Sequence, residues 1–209
     1  MSQLPDTDEE FLESLRRGLR ESVAFWSPDK KLEREAYTVR TLLRHLGVEH
    51  HEAEITPEPA EPPDMKFRNA RFEIKEMLDH DRRRHDEYRK KLEKALTAKS
   101  PRELMEQYTP QDLTFQEIGD RVVQILRDAA THYAPKVIEQ LDLLVYVNLL
   151  KRIVVLDSPV PDSSHLSQFG WRSISVVKSS VACVLYARAD APDFLRSHVG
   201  KPVSRPGEE

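Results

Sequence analysis

Cysteine is nearly absent from this sequence: Cys183 stands alone among 209 residues. One thiol closes no intramolecular disulfide and builds no cysteine-based zinc site. Glycine is scarce too, with six in the chain. No glycine-rich phosphate loop is found, which argues against a nucleotide-driven motor or a dehydrogenase. No apolar run approaches the roughly 18 residues of a membrane span. The opening stretch MSQLPDTDEE is acidic and lacks the basic and apolar regions of a signal peptide. From these absences we expect a cytoplasmic protein with no membrane partner.

What the chain does have is charge, arranged in blocks. Apolar residues make up 39% and charged ones 33%, a balance that supports a packed globular domain and not a disordered chain. Residues 1–65 carry 15 acidic and 8 basic side chains, a net −7. Residues 66–102 carry 7 and 13, a net +6, and the remainder 14 and 11, a net −3. The basic segment reads either as a nucleic-acid contact or as a solvated helix rich in Arg and Lys. The net charge of −4 argues against a nonspecific coat on DNA.

Helical periodicity organises much of the chain. TDEEFLESLRRGLRESVAFW opens with Thr7 and Glu10 in capping-box spacing and continues with Phe11, Leu12, Leu15, Leu19 and Val23 on one stripe. SPDKKLEREAYTVRTLLRHLG sets Ser27 as N-cap, Pro28 at the first helical position and Gly47 as stop. Its stripe of Leu32, Ala36, Val39, Leu42, Leu43 and Leu46 encloses Glu35. A carboxylate there needs a cation, a hydrogen bond or a route to water and a nearby Arg. VEHHEAEIT reads as a strand, and the Pro-rich PEPAEPPD excludes a helix. DHDRRRHDEYRKKLEKALTAK reads as a basic helix and TFQEIGDRVVQILRDAATHY as an amphipathic one. LDLLVYVNL, within 139–150, suits a buried strand, although period alone leaves a helix open. SISVVKSSVACVLYARA, at 173–188, is equally ambiguous, and we read it as helix. APDFLRSHVG closes with a short helix, and KPVSRPGEE is a flexible tail. We expect one α/β domain over residues 1–200, with a helical extension at 1–27, a core at 28–149 and an elaboration at 150–200.

PPDMKFRNARFEIKEM is the most informative stretch. Apolar and charged residues alternate as in a half-buried hairpin. A two-residue turn at Asn69 and Ala70 sets Asp64 opposite Lys75 and Lys66 opposite Glu73. Met65, Phe67, Phe72 and Ile74 then face inward, while Asp64, Glu73 and Lys75 converge on the other face. Two carboxylates suit Mg²⁺, which binds through one or two acids plus substrate phosphate. The lysine suits water activation or stabilisation of charge on phosphorus. The bland reading of the same row is a ladder of exposed ion pairs worth little in stability.

Pro63-Asp64 followed by Glu73-Ile74-Lys75 resembles the PD-(D/E)XK signature of the restriction-endonuclease-like superfamily. Acid-X-Lys also occurs at Asp29–Lys31 and Asp64–Lys66. Only Glu73–Lys75 joins a strand pattern to an upstream acid on the same face. The whole chain also resembles a small bacterial family of uncharacterised proteins labelled endonucleases. The resemblance implies a core of helix, three-strand meander, crossover helix and further strand, with extra helices at both ends. It implies Asp64 and Glu73 as carboxylate ligands of Mg²⁺ or Mn²⁺, the Ile74 carbonyl as a third, and Glu35 as an outer ligand through water. Lys75 becomes the catalytic lysine and Glu54 a lesser candidate acid. Arg68, Arg71, Arg82, Arg83 and Arg84 become phosphate contacts on DNA. The activity implied is metal-dependent hydrolysis of DNA phosphodiester bonds, with a homodimer as a candidate assembly. Two alternatives stay open: an inactive nucleic-acid- or protein-binding module on the same fold, and a helical interaction protein whose hairpin is scaffold.

Other chemistry-bearing residues carry less. His50 and His51 are adjacent, and His80 and His85 point about 140° apart on a helix. Neither pair makes a good metal site, and the doubled His-Asp (His80-Asp81, His85-Asp86) lacks further ligands at suitable positions. Cys183 sits in an apolar run that keeps a thiol protonated. Lys178 has no neighbour to support a Schiff-base role.

Overall fold

The computed structural model describes residues 7–60, 62–80 and 82–204. By their contacts these fall into two compact units. One comprises residues 7–34, 80 and 82–109, the other 35–79 and 110–204.

The first unit is helical. Helix α1 (Asp8–Phe25) starts with the expected capping box, Glu10 N–H donating to Thr7 Oγ1 and Thr7 N–H to the Glu10 carboxylate, both at 3.2 Å. Its buried Leu12 and Leu19 belong to the predicted stripe. Its partner is α3 (Arg84–Thr97), the basic helix. Arg16 of α1 donates to the carbonyls of Ala95 and Ala98, satisfying acceptors that the end of α3 leaves open. The guanidinium of Arg84 lies 3.5 Å from the centre of the Trp26 ring, and Tyr88 stacks nearly parallel to the same indole.

The second unit is a six-stranded mixed sheet between helices. The 3-10 turn at Pro28–Lys30 and the first turn of α2 (Lys31–His45) belong to the first unit, and the rest of α2 to the second, where Gly47, at φ 68°, terminates it as expected. The meander follows as β1 (Ile55–Pro57), β2 (Met65–Phe67) and β3 (Ala70–Leu78). Residues 52–54, expected to be strand, make a 3-10 turn, so only the end of VEHHEAEIT is extended. A short β4 (Gln111–Leu113) precedes α4 (Phe115–His132), whose cap is Thr114 with Glu117. After α5 (Pro135–Ile138), β5 (Asp142–Asn148) runs parallel to β3, and β6 (Arg152–Val154) pairs with β4 alone. Strands β7 (Ser173–Lys178) and β8 (Val181–Ala187) complete the order β1-β2-β3-β5-β7-β8, and α6 (Asp193–Arg196) closes the unit.

Residues 173–188 are therefore a hairpin and not a helix. Both strands are buried nearly throughout, and a strand covered on both faces shows a continuous apolar run without a period of two. β-branched Val176, Val177, Val181 and Val184 suit the extended backbone. At the expected tail, Val203 bridges to Ala182 with backbone hydrogen bonds at 2.9 and 2.8 Å. Residues 205–209 of that tail lie outside the described residues, as does Asp81.

One face of the sheet packs Met77, Val145, Ile174 and Cys183 against Ile118, Val122 and Leu126 of α4. The other packs Phe67, Phe72, Leu144 and Val184 against Val39, Leu42 and Leu43 of α2. Among the described residues no helix is long and apolar enough to cross a membrane.

Candidate functional site

The β2–β3 ladder pairs Met65 with Phe72, Lys66 with Arg71 and Phe67 with Ala70. The turn residues are thus Arg68 and Asn69, one step earlier than expected, and the register moves by two. Arg68 adopts a left-handed φ of 52°, unfavourable for a residue with a side chain. Tertiary bonds hold it there. Its guanidinium donates to Glu54 Oε1 at 3.1 Å and to the Glu49 carbonyl at 2.9 Å. Arg172 donates to the Asn69 carbonyl, and Asp142 accepts from the Arg71 N–H. An even shift keeps each side chain on its face, so Asp64, Lys66, Arg71, Glu73 and Lys75 still share one.

The new register changes who meets whom. Extended by one pair, the ladder sets Asp64 opposite Glu73 instead of Lys75. β2 starts at Met65, opposite Phe72, while β3 continues to Leu78. Past that point β3 has no β2 partner, and Asp64 takes its place: Oδ2 accepts the Ile74 N–H at 2.8 Å. Within a strand the N–H and C=O of one residue point the same way, so the Ile74 carbonyl is directed to the Asp64 side.

Glu73 and Lys75 meet a third group. Lys75 Nζ donates to Glu73 Oε1 at 2.8 Å and to the Tyr133 hydroxyl at 3.2 Å. That hydroxyl donates in turn to the same Glu73 Oε1 at 2.6 Å. Glu73 is 3% exposed, and its other oxygen, Oε2, is buried without a hydrogen bond. Burial disfavours the Lys75 ammonium, but the hydrogen bond and charge of Glu73 outweigh it and hold the lysine above its ordinary value. Burial and the bond to Glu73 raise the Tyr133 phenol as well. Lys75 remains reachable through an open groove lined by Glu76, Gln124, Ile125 and Asp128.

Tyr133 was not legible as part of this group. It caps the C-terminus of α4, far along the chain from Glu73, and no motif marks it. The observable signal is weak, a tyrosine ending an amphipathic helix that crosses the sheet between β3 and β5.

The other predicted residues are placed differently. Glu35 is buried on α2, which packs on the Phe72 and Ile74 face and not on the face of Glu73 and Lys75. Glu54 is engaged by the His51 N–H, foremost, and by Arg68, which together lower its carboxyl from the ordinary value. Arg71 lies on the charged face, and its Nε is buried without a hydrogen bond. Arg82, Arg83 and Arg84 belong to the helical unit. Arg82 is half-buried in an ion pair with Glu87, Arg84 is buried over Trp26, and Arg83 is exposed. The structure thus gathers Asp64, Glu73, Ile74 and Lys75 and distributes the arginines. Cys183 is buried among apolar side chains, which pushes its thiol up to about 12.

Residues 7–207 match the family described as "Putative endonuclease, protein of unknown function (DUF1780)". The chain belongs to this family. A solved structure of a protein of unknown function from Pseudomonas aeruginosa, described as "Monooxygenase Superfamily", is 27% identical, with a TM-score of 0.68 over 96% of this chain and 97% of that one. No curated protein matches. A family defined across nearly the whole chain takes in both compact units, and its description agrees with the label expected from the sequence.

Proposed function

We propose that the protein is a metal-dependent endonuclease that hydrolyses DNA phosphodiester bonds on the face of Asp64, Glu73 and Lys75. The observation that carries this reading is Glu73: a buried carboxylate with one oxygen bonded twice and the other not at all, beside Asp64 and a lysine. The order α2, meander, α4, parallel β5 supports a restriction-endonuclease-like core. The family description supports the activity class.

The donor set fits a hard cation. Mg²⁺ and Mn²⁺ take oxygen ligands, and Mg²⁺ keeps several waters while using one or two carboxylates. Asp64, Glu73 Oε2 and the Ile74 carbonyl would hold the ion. When bound, it supplies Lewis-acid stabilisation of the phosphoryl oxygens and a more acidic water. Among the described residues no three His, Cys, Asp or Glu side chains cluster as a metal site.

In hydrolysis a water oxygen bonds to phosphorus and gives up a proton to solvent, while the bond to the leaving sugar oxygen breaks and that oxygen takes a proton from solvent. Lys75 keeps its proton, because Glu73 holds it above its ordinary value. A lysine that keeps its proton stabilises developing charge on phosphorus. Arg71, two residues from Glu73 on β3 and about 7 Å from it, would hold a neighbouring phosphate.

A second reading is a catalytically inactive module that binds nucleic acid or protein. The basic segment at residues 66–102, with 13 basic and 7 acidic side chains, favours it. Purified protein with Mg²⁺ or Mn²⁺ and linear, nicked, branched and single-stranded DNA decides between them. Cleavage by wild type and not by Lys75→Ala supports the nuclease. Binding that needs no metal, weakens steeply with salt and never cleaves supports the module.

A further inference from the structure

We infer that Tyr133 is the positioning residue of this site, fixing Glu73 so that Oε2 faces the cation. The inference rests on the metal-dependent reading above. A phenol carries one proton. Tyr133 gives it to Glu73 Oε1 at 2.6 Å and so receives Lys75 Nζ, at 3.2 Å, on its oxygen. Glu73 Oε1 thereby takes two donors, from Tyr133 and Lys75. With that oxygen filled, the carboxylate has no reason to turn Oε2 toward either donor. A bare, buried carboxylate oxygen is expensive unless a cation or a proton meets it.

The tyrosine is itself fixed. It is the first extended residue after α4, at φ −117° and ψ 136°, and its ring packs against the core that holds α4 to the sheet. The Lys75 ammonium lies 5.3 Å from the centre of that ring. Without the hydroxyl, Glu73 Oε1 loses one of its two donors. The carboxylate is then free to rotate, and Oε2 competes for Lys75 in place of a cation. Hydrogen-bond partners that orient a metal ligand typically change affinity tenfold or more.

The test is Mn²⁺ binding by titration calorimetry on the full chain, without DNA, for wild type, Tyr133→Phe and Glu73→Gln. Thermal midpoint and metal-free DNA affinity are measured alongside. We expect the Mn²⁺ Kd of Tyr133→Phe to rise about tenfold while midpoint and DNA affinity stay unchanged. If Tyr133→Phe binds Mn²⁺ like wild type and Glu73→Gln binds it weakly, the role of Tyr133 is overturned and the metal site stands. A parallel fall in midpoint and DNA affinity in Tyr133→Phe also overturns it, because the tyrosine is then structural. Wild type that binds no Mn²⁺, or binds it no better than Glu73→Gln, overturns the metal site and the inference with it.

Discussion

Two buried acids in the sheet unit, Asp142 and Glu73, start from the same chemistry and end in opposite states. Asp142 opens β5 and is fully buried. Its Oδ1 accepts from Arg172 Nε at 3.0 Å and Ser173 Oγ at 2.7 Å. Its Oδ2 accepts from the Arg71 N–H at 2.8 Å and from Arg172 Nη2. Every acceptor is used, and the bonds tie the β2–β3 turn to β5 and β7. Glu73, two residues beyond Arg71, has one oxygen filled and one bare. A finished carboxylate network locks backbone in place. An unfinished one keeps a cost in the fold that a bound cation can relieve.

The largest effect we expect separates these roles on the structural side. Asp142→Ala leaves the mostly buried Arg172 without its partner, and breaking such a pair costs about 3–5 kcal/mol. Urea unfolding by circular dichroism checks this. A loss under about 1 kcal/mol would mean that the turn and the strand ends hold without Asp142. Next comes the functional side: Lys75→Ala is expected to lower DNA cleavage by at least about 100-fold with the fold intact by circular dichroism. Equal cleavage by both proteins removes Lys75 from the mechanism.

Part of this contrast was legible in the sequence, and the rest was not for definite reasons. The Thr7–Glu10 cap, the apolar stripes of α1, α2 and α4 and the two faces of the hairpin are local patterns, and local patterns survive folding. The face of Glu73 and Lys75 was readable because alternation is indifferent to an even slip in register. The register itself was not. The left-handed Arg68 is held by Glu54, the Glu49 carbonyl and the Asp142–Arg172 network, which are contacts made only in the fold. Strands β7 and β8 lacked a period because both their faces are covered. Neither Tyr133 nor Asp142 carries a motif, since each acts through partners about 30 to 70 positions away, such as Arg172 for Asp142 and Glu73 for Tyr133.

A smaller effect sharpens the comparison. Glu73→Gln keeps the shape and removes the charge, so Mn²⁺ binding should weaken at least about tenfold. Stability should hold or rise by up to about 1 kcal/mol, as happens where function rather than folding maintains a buried charge. Asp142→Asn, the same change at the finished site, should destabilise, because the amide nitrogen cannot accept what an oxygen accepted. Paired urea titrations of the two variants read the difference. Destabilisation of both by similar amounts would make Glu73 a structural acid like Asp142.

The smallest effect lies at high pH and follows from the partners of Glu73. Lys75 and Tyr133 both hold their protons more tightly in the folded chain than their ordinary values, near 10: at Lys75 Glu73 outweighs the opposing effect of burial, and at Tyr133 burial and Glu73 act together. Between the ordinary value and the raised native one, the unfolded chain gives up its proton first. Unfolding then releases protons, and stability falls as pH rises through that window. The contribution is complete below about pH 10 and fades above it. Urea midpoints of wild type should decline as pH rises from about 9 to 11, and the decline should be shallower in Lys75→Met. Equal slopes would show that Glu73 does not hold the lysine proton. The ion pair at Oε1 would then add nothing to stability, and Glu73 would differ from Asp142 on both of its oxygens.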